Sequence, residues 1–206
     1  MACLCLLVLS LVSLCATEVI AEDNRIEGLP IFCGSNECPR YQVLKRYNTF
    51  ELRSYESTRW ATTYLNTDGM GIGMMKTFRR LFKYISGENS EGISMKMNVP
   101  VRVTVPLLDS TLNSTMSLFM PSAMMNLPTP NDRSVVLESF PPMNVYVRSF
   151  SGYAVNSDYE KHSKALTEEL TALGLAFDNQ FGMAAAYNDP LTFFKRHNEV
   201  WFKSLN

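Results

Sequence analysis

Between Asp68 and Val105 the hydrophobic period changes from about 3.6 residues to 2, the pattern of a one-sided helix passing through a turn into a strand. On Met74 to Ile85 that period gathers Met74, Phe78, Leu81 and Ile85 on one face and Lys76, Arg79, Arg80 and Lys83 on the opposite one. Met75, Arg79 and Phe82 fall on the margin between them. Asp68 offers an N-cap, Gly69, Gly71 and Gly73 weaken the first turn, and Gly87 is placed to end the helix. Then Ile93, Met95, Met97, Val99, Val101, Val103 and Val105 hold every second position, which predicts one long strand with a buried face. Pro100 lies on its other face and has no amide hydrogen, so an edge, a bulge or a bend is required there.

The rest of the chain has the same two periods. Tyr41 to Tyr47, Phe50 to Glu56 and Arg59 to Leu65 are aromatic and β-branched, separated by Asn48 and the Ser57-Thr58 step, and predict antiparallel strands. Met116 to Met120 predicts another, followed by a Pro-rich connection from Pro121 to Pro142 that is periodic only around Val135 to Leu137. Asn144 to Phe150 predicts a strand, and Ser157 with Glu160 a capping box. Tyr159, Leu166, Leu170 and Leu173 form the buried stripe of the helix that follows, Gly174 stops it, and Phe181 to Tyr187 and Glu199 to Lys203 close as strands. Strand, helix, strand, strand therefore occurs twice. The expected fold is α+β: two duplicated units whose sheets join into a twisted, partly closed antiparallel β-barrel with two flanking helices.

The N-terminus departs from this pattern. Leu4 to Ala16 is an apolar run too short for a membrane span, with Val19 and Ala21 as small residues ahead of Glu22. The expected organisation is a cleaved signal peptide over 1–21, an irregular leader over 22–40 and one domain over 41–206. Cleavage removes Glu18, taking 19 basic and 20 acidic residues to 19 of each. A neutral chain argues against a nucleic-acid partner, and the absence of a spanning segment argues against stable membrane insertion. Of the cysteines, Cys33 and Cys38 remain, and in an oxidising compartment two cysteines this close are expected to form a disulfide. Two free thiols or half of a metal site are the other readings, the latter without a second pair to complete a zinc cage. Asn113-Ser114-Thr115 is an N-glycosylation sequon, in keeping with secretion.

Candidate chemistry is sparse. The glycines at 69, 71 and 73 lack dinucleotide-fingerprint spacing, and neither a Gly-x-Ser-x-Gly elbow nor a His-Glu-x-x-His helix occurs. Catalysis would need Glu51, Glu56 or Glu199 brought beside Tyr153 or Tyr187 by the fold. The margin of Met75, Arg79 and Phe82, apolar on one side and cationic on the other, suits a flat apolar ligand carrying carboxylates. The helix beginning at Ser157 carries Glu168 and Glu169 where the first helix carries arginines, so this margin belongs to one half only.

Several segments resemble the SOUL or haem-binding protein family. They are Tyr41-Gln42-Val43-Leu44, Phe50-Glu51-Leu52-Arg53, Phe82-Lys83-Tyr84-Ile85-Ser86-Gly87, Met95-Lys96-Met97-Asn98-Val99-Pro100-Val101, Val145 to Phe150, Tyr187-Asn188-Asp189-Pro190, and Asn198-Glu199-Val200-Trp201. The resemblance runs from about Tyr41 to Lys203. It implies a duplicated α+β barrel like the effector-binding domains of bacterial regulators, with haem or another porphyrin bound beside the first helix. Carried over by position, the pocket residues are Met75, Phe78, Arg79, Phe82, Lys83, Met95 and Met97. Some family members have a His after Glu-x-Arg where this chain has Ser54, which leaves iron coordination open. His162 and His197 are the histidines present, and His162 is the candidate axial ligand. The sequence therefore yields a secreted haem carrier or scavenger without catalytic chemistry as its first reading. An effector-binding or interaction module for another apolar acid is the second, and a hydrolase the third.

Overall fold

The computed structural model describes residues 29–65, 72–109, 111–189, 192 and 194–206. The expected signal segment, the first part of the leader, and Asp68, Gly69 and Gly71 lie outside these residues. Among the described residues the strands are β1 (Tyr41–Arg46), β2 (Glu51–Tyr55), β3 (Thr58–Tyr64), β4 (Val101–Pro106), β5 (Thr115–Phe119), β6 (Val136–Phe140), β7 (Met143–Ser151), β8 (Phe181–Ala186) and β9 (His197–Lys203). The helices are α1 (Ile72–Ile85) and α2 (Asn156–Ala172).

All the strands form one antiparallel sheet in the order β1-β2-β7-β9-β8-β4-β5-β3-β6. The duplication is written into the pairing. β3, α1, β4 and β5 pair as β4-β5-β3, and β7, α2, β8 and β9 pair as β8-β9-β7. The two units join through β4 and β8, from Val101 opposite Ala186 to Pro106 opposite Phe181. The strand ahead of each unit crosses to the other one, so β2 pairs with β7 and β6 with β3. The first three strands are therefore not a meander, although only Glu56 and Ser57 separate β2 from β3.

Each helix covers the outer face of its own unit, α1 against β3 and β5, α2 against β7 and β9. Beneath α1 lie Ala61, Met116 and Leu118; beneath α2 lie Tyr146, Val200 and Phe202. The curl of the sheet gives it an inner face as well, and the leader is strapped across part of it. Cys33 and Cys38 are disulfide-bonded and pack with Tyr55, Val145, Val147, Ala185 and Trp201. The Val99 amide donates to Glu37 at 3.0 Å and the Glu56 amide to Arg40 at 3.0 Å, which ties the strap to both sides of the curl.

Three local expectations need correction. On α1 the buried stripe runs through Thr77, Leu81, Tyr84 and Ile85, while Met74 is exposed. The Tyr84 hydroxyl donates to the Pro128 carbonyl at 2.9 Å, so the Pro-rich connection draws this ring inward and rotates the stripe. The long strand from Ile93 exists as a ladder only over Val101–Pro106. Ahead of it Met95 is buried between exposed Ser94 and Lys96 without strand pairing, its amide donating to Ile85 at 2.7 Å. The alternation there records packing against the end of α1, and the break falls at Pro100, whose peptide bond with Val99 is cis. On α2 the cap is Val155, whose amide donates to the Asp158 carboxylate at 2.9 Å; Ser157 lies inside the first turn. Leu173 is the C-cap and is exposed, and Gly174 ends the helix at φ 63° as expected.

Candidate functional site

The margin expected on α1 is an exposed ridge. Met75 is 72% and Phe82 44% exposed, and the Phe78 and Phe82 rings stack with centroids 5.9 Å apart. Large apolar side chains left in solvent at this spacing mark a contact surface more often than scattered single ones do. The nearby cations differ in their engagement. Arg80 bonds the Thr63 hydroxyl at 3.3 Å and pairs with Asp132 at 3.4 Å, while Lys83 pairs with Glu88 at 3.0 Å. Both partners of the Lys83 pair are solvent-exposed, so it holds Lys83 weakly. Lys76 and Arg79 have no ion pair among the described residues, which leaves Arg79 as the margin's uncommitted guanidinium. Met95 is buried and Met97 half-buried in the cluster beneath the helix, so these two underlie the ridge.

His162 is elsewhere. It lines a cleft of about 490 Å³ between the β1–β2 turn, β7 and α2, together with Arg46, Tyr47, Phe50, Arg53 and Arg148. The volume suits a small molecule, but its cations are already paired: Arg46 and Arg53 with Glu51 at 3.0 and 2.8 Å, Arg148 with Glu169 at 2.6 Å. Arg148 Nε donates to His162 Nδ1 at 3.3 Å, and the imidazole stacks on Phe150 with centroids 4.0 Å apart. Burial first, then the positive charge of Arg148, lowers the His162 pKa and favours the neutral ring. With Nδ1 accepting, the ring proton sits on Nε2 and no lone pair faces outward for iron. The structure thus gives His162 a place against β7 and Arg148, on the other unit from the α1 margin, and does not orient it as an axial ligand.

His197 belongs to a buried polar cluster that sequence reasoning did not assemble. Glu199 on β9 has no exposed side-chain surface, yet its carboxylate accepts five hydrogen bonds. Oε1 takes His197 Nε2 at 2.7 Å, Arg53 Nη1 at 2.9 Å and Ser149 Oγ at 3.3 Å; Oε2 takes Trp201 Nε1 at 2.7 Å and Tyr187 OH at 2.9 Å. Burial alone would push the Glu199 carboxyl up, but the His197 hydrogen bond and the Arg53 charge outweigh it and hold the pKa at about 2. Burial in turn pushes Tyr187 well above the usual phenol range. From the strap, the Phe32 ring stacks on His197 with centroids 3.7 Å apart and meets Tyr187 edge-on at 4.8 Å. Glu199 and Tyr187 are the acid and phenol whose meeting would have supported catalysis. They do meet, but as a closed network with every carboxylate lone pair engaged and Phe32 packed over it. Arg53 and Glu199 are 146 residues apart, so nothing local in the sequence of either strand announces their pairing. Among the described residues no cluster of three or more His, Cys, Asp or Glu could hold a metal ion.

A curled sheet with two helices on its outside, duplicated about β4 and β8, is also the architecture of several solved structures. The EcmrR C-terminal domain superposes with a TM-score of 0.55 at 7% identity, covering 79% of this chain and 96% of that one. A hydrolase from Listeria innocua gives 0.53 at 11% identity, covering 78% and 94%. At such identities the likeness is one of fold alone. Sequence relationship narrows the class: residues 36–203 match the SOUL heme-binding protein family, and the chain belongs to that family. It is 30% identical to Heme-binding protein 2 of Homo sapiens over 164 residues, 77% of this chain and 79% of that protein. Against Heme-binding protein 1 of Mus musculus it is 29% identical over 176 residues, covering 82% and 93%.

Proposed function

We propose that this protein is a secreted tetrapyrrole carrier or scavenger that binds haem at the outer margin of α1 and does no chemistry on it. Membership of a family whose relatives are named heme-binding proteins supports the ligand. The observation that carries the site is the exposed pair Met75 and Phe82, with the half-buried Phe78 ring stacked on Phe82, beside the uncommitted Arg79. A porphyrin face lies on the ridge and Arg79, with Lys83 at the edge, meets its propionates. With His162 and His197 both committed to protein partners, the macrocycle is held by its face and its acids.

Secretion is supported by the disulfide in the strap and by the exposure of Asn113 in the connection between β4 and β5, where a glycan has room. No helix among the described residues is long and apolar enough to cross a membrane. The test is titration of the chain lacking residues 1–21 with haemin. A saturable Soret shift at micromolar concentration or below is expected; a weak, non-saturating change like that of an unrelated protein would sink the reading.

A further inference from the structure

The inner face of the sheet holds two buried arginines treated very differently by the fold. Arg53 is bonded to Glu51, Tyr55 and Glu199 and lies over the Tyr41 ring. Arg102, on β4, is 4% exposed and makes no hydrogen bond or ion pair among the described residues; its Nε is fully buried and unpartnered. Its guanidinium lies over the rings of Trp60 and Phe140, at 4.1 and 5.0 Å from their centroids. Ring faces attract a cation but accept none of its five N–H groups in the plane of the fork. Burial lowers the Arg102 pKa to about 10, with the charge of Glu138 opposing it only in part. Buried polar groups are satisfied almost everywhere in folded proteins, so a buried guanidinium Nε without a hydrogen-bond partner calls for one.

The neighbours of Arg102 supply the rest of a cradle. Its cross-strand partner on β5 is Ser117, whose own partner on β3 is Thr62, so the three side chains share the inner face in one row. Ser117 Oγ and Thr62 Oγ1 are 2.9 Å apart and both residues are buried. In such a pair one hydroxyl donates to the other, whose own proton remains free to donate. The geometry points to a binding site for a small, singly charged anion between the Arg102 guanidinium and the Ser117–Thr62 hydroxyl pair, beneath Trp60 and Phe140. A halide and the carboxylate of a short organic acid share the required chemistry: one negative charge, acceptor lone pairs and small size. The site faces inward, away from α1, and is independent of the tetrapyrrole margin.

The test uses thermal unfolding and tryptophan emission of the mature chain, since Arg102 lies against Trp60. Chloride, formate and benzoate are compared with gluconate, a carboxylate too large to enter, at equal ionic strength. Chloride or a small carboxylate is expected to raise the melting temperature saturably, by about 3 to 5 °C at ten times its Kd, and to shift the emission. A response to chloride alone assigns a halide site; one confined to formate or benzoate assigns the end of an organic acid. Arg102→Met should abolish the response and, in the gluconate buffer, melt no lower than the parent, because a buried cation that is only partly compensated is removed. Ser117→Ala, which keeps the cation, should weaken the apparent affinity several-fold. Equal responses to gluconate and the small anions, or an anion response that survives in Arg102→Met, would overturn the assignment. So would a loss of stability in Arg102→Met in gluconate, which would give the guanidinium a packing role only.

Discussion

Nη1 of Arg53 and Oε1 of Glu199 lie 2.9 Å apart, with 4% and 0% of their side chains exposed, and so join the strand at one end of the chain's first half to its last strand. Removing one member of such a pair leaves the other charged and dry. Glu199→Gln is expected to cost on the order of 3 to 5 kcal/mol of stability, read as the shift in denaturant midpoint at constant slope. A loss under about 1 kcal/mol, the size of an exposed pair, would mean that the cluster is hydrated in solution.

The same cluster sets an acid limit. The folded Glu199 pKa of about 2 is below the ordinary glutamate value of 4.5, so the group favours the folded state fully above pH 4.5. That contribution is lost as pH falls from 4.5 toward 2 and the buried carboxylate must be protonated. Denaturant midpoints measured across this window should therefore fall in the parent and fall less steeply in Glu199→Gln; parallel curves would contradict the assignment.

The strap is expected to be locally stabilising. The Cys33–Cys38 bridge closes a short loop, for which chain entropy predicts roughly 2 kcal/mol. Cys33→Ser with Cys38→Ser should lower stability by about that much, and amide exchange should quicken at Val99 and Glu56, whose N–H groups bond the leader. Slow exchange at both amides in the double variant would show that packing of Phe32 and Leu29 holds the strap without the bridge.

Much of this fold was legible in the chain because its outer face follows the ordinary rules. Leu166 and Leu170, Met116 and Leu118, Val200 and Phe202 are apolar at helix or strand period and are buried where that period puts them. The inner face was not legible. Arg53, Arg102, Ser117 and Glu199 occupy alternate positions that normally face water, and they are buried because the sheet curls and the leader crosses it. Period reports which residues share a face; it does not report that both faces are covered. Ile93 to Val105 suggested one strand, but Met95 is buried at the end of α1, whereas the ladder with β5 and β8 begins only at Val101 and leaves Val105 exposed. On α1, the amphipathic pattern located Met75, Arg79 and Phe82 on one exposed margin, but Arg80 and Lys83 could be separated from Arg79 only by their partners, the distant Asp132 and Glu88 just past the helix end.

That separation gives a binding prediction. Arg79→Glu should weaken haemin binding by about tenfold, the loss of one charge-assisted contact, whereas Lys76→Glu, at the centre of the solvated face and away from the apolar ridge, should change it less than about twofold. Equal effects would mean that general charge, and not the margin, attracts the ligand.

The most direct test is a comparison of iron protoporphyrin IX with metal-free protoporphyrin IX by equilibrium titration of the mature chain. Binding by face and propionates predicts dissociation constants within a few-fold of one another, with His162→Ala leaving both spectra unchanged. Binding of the iron form alone, abolished in His162→Ala, would contradict the account.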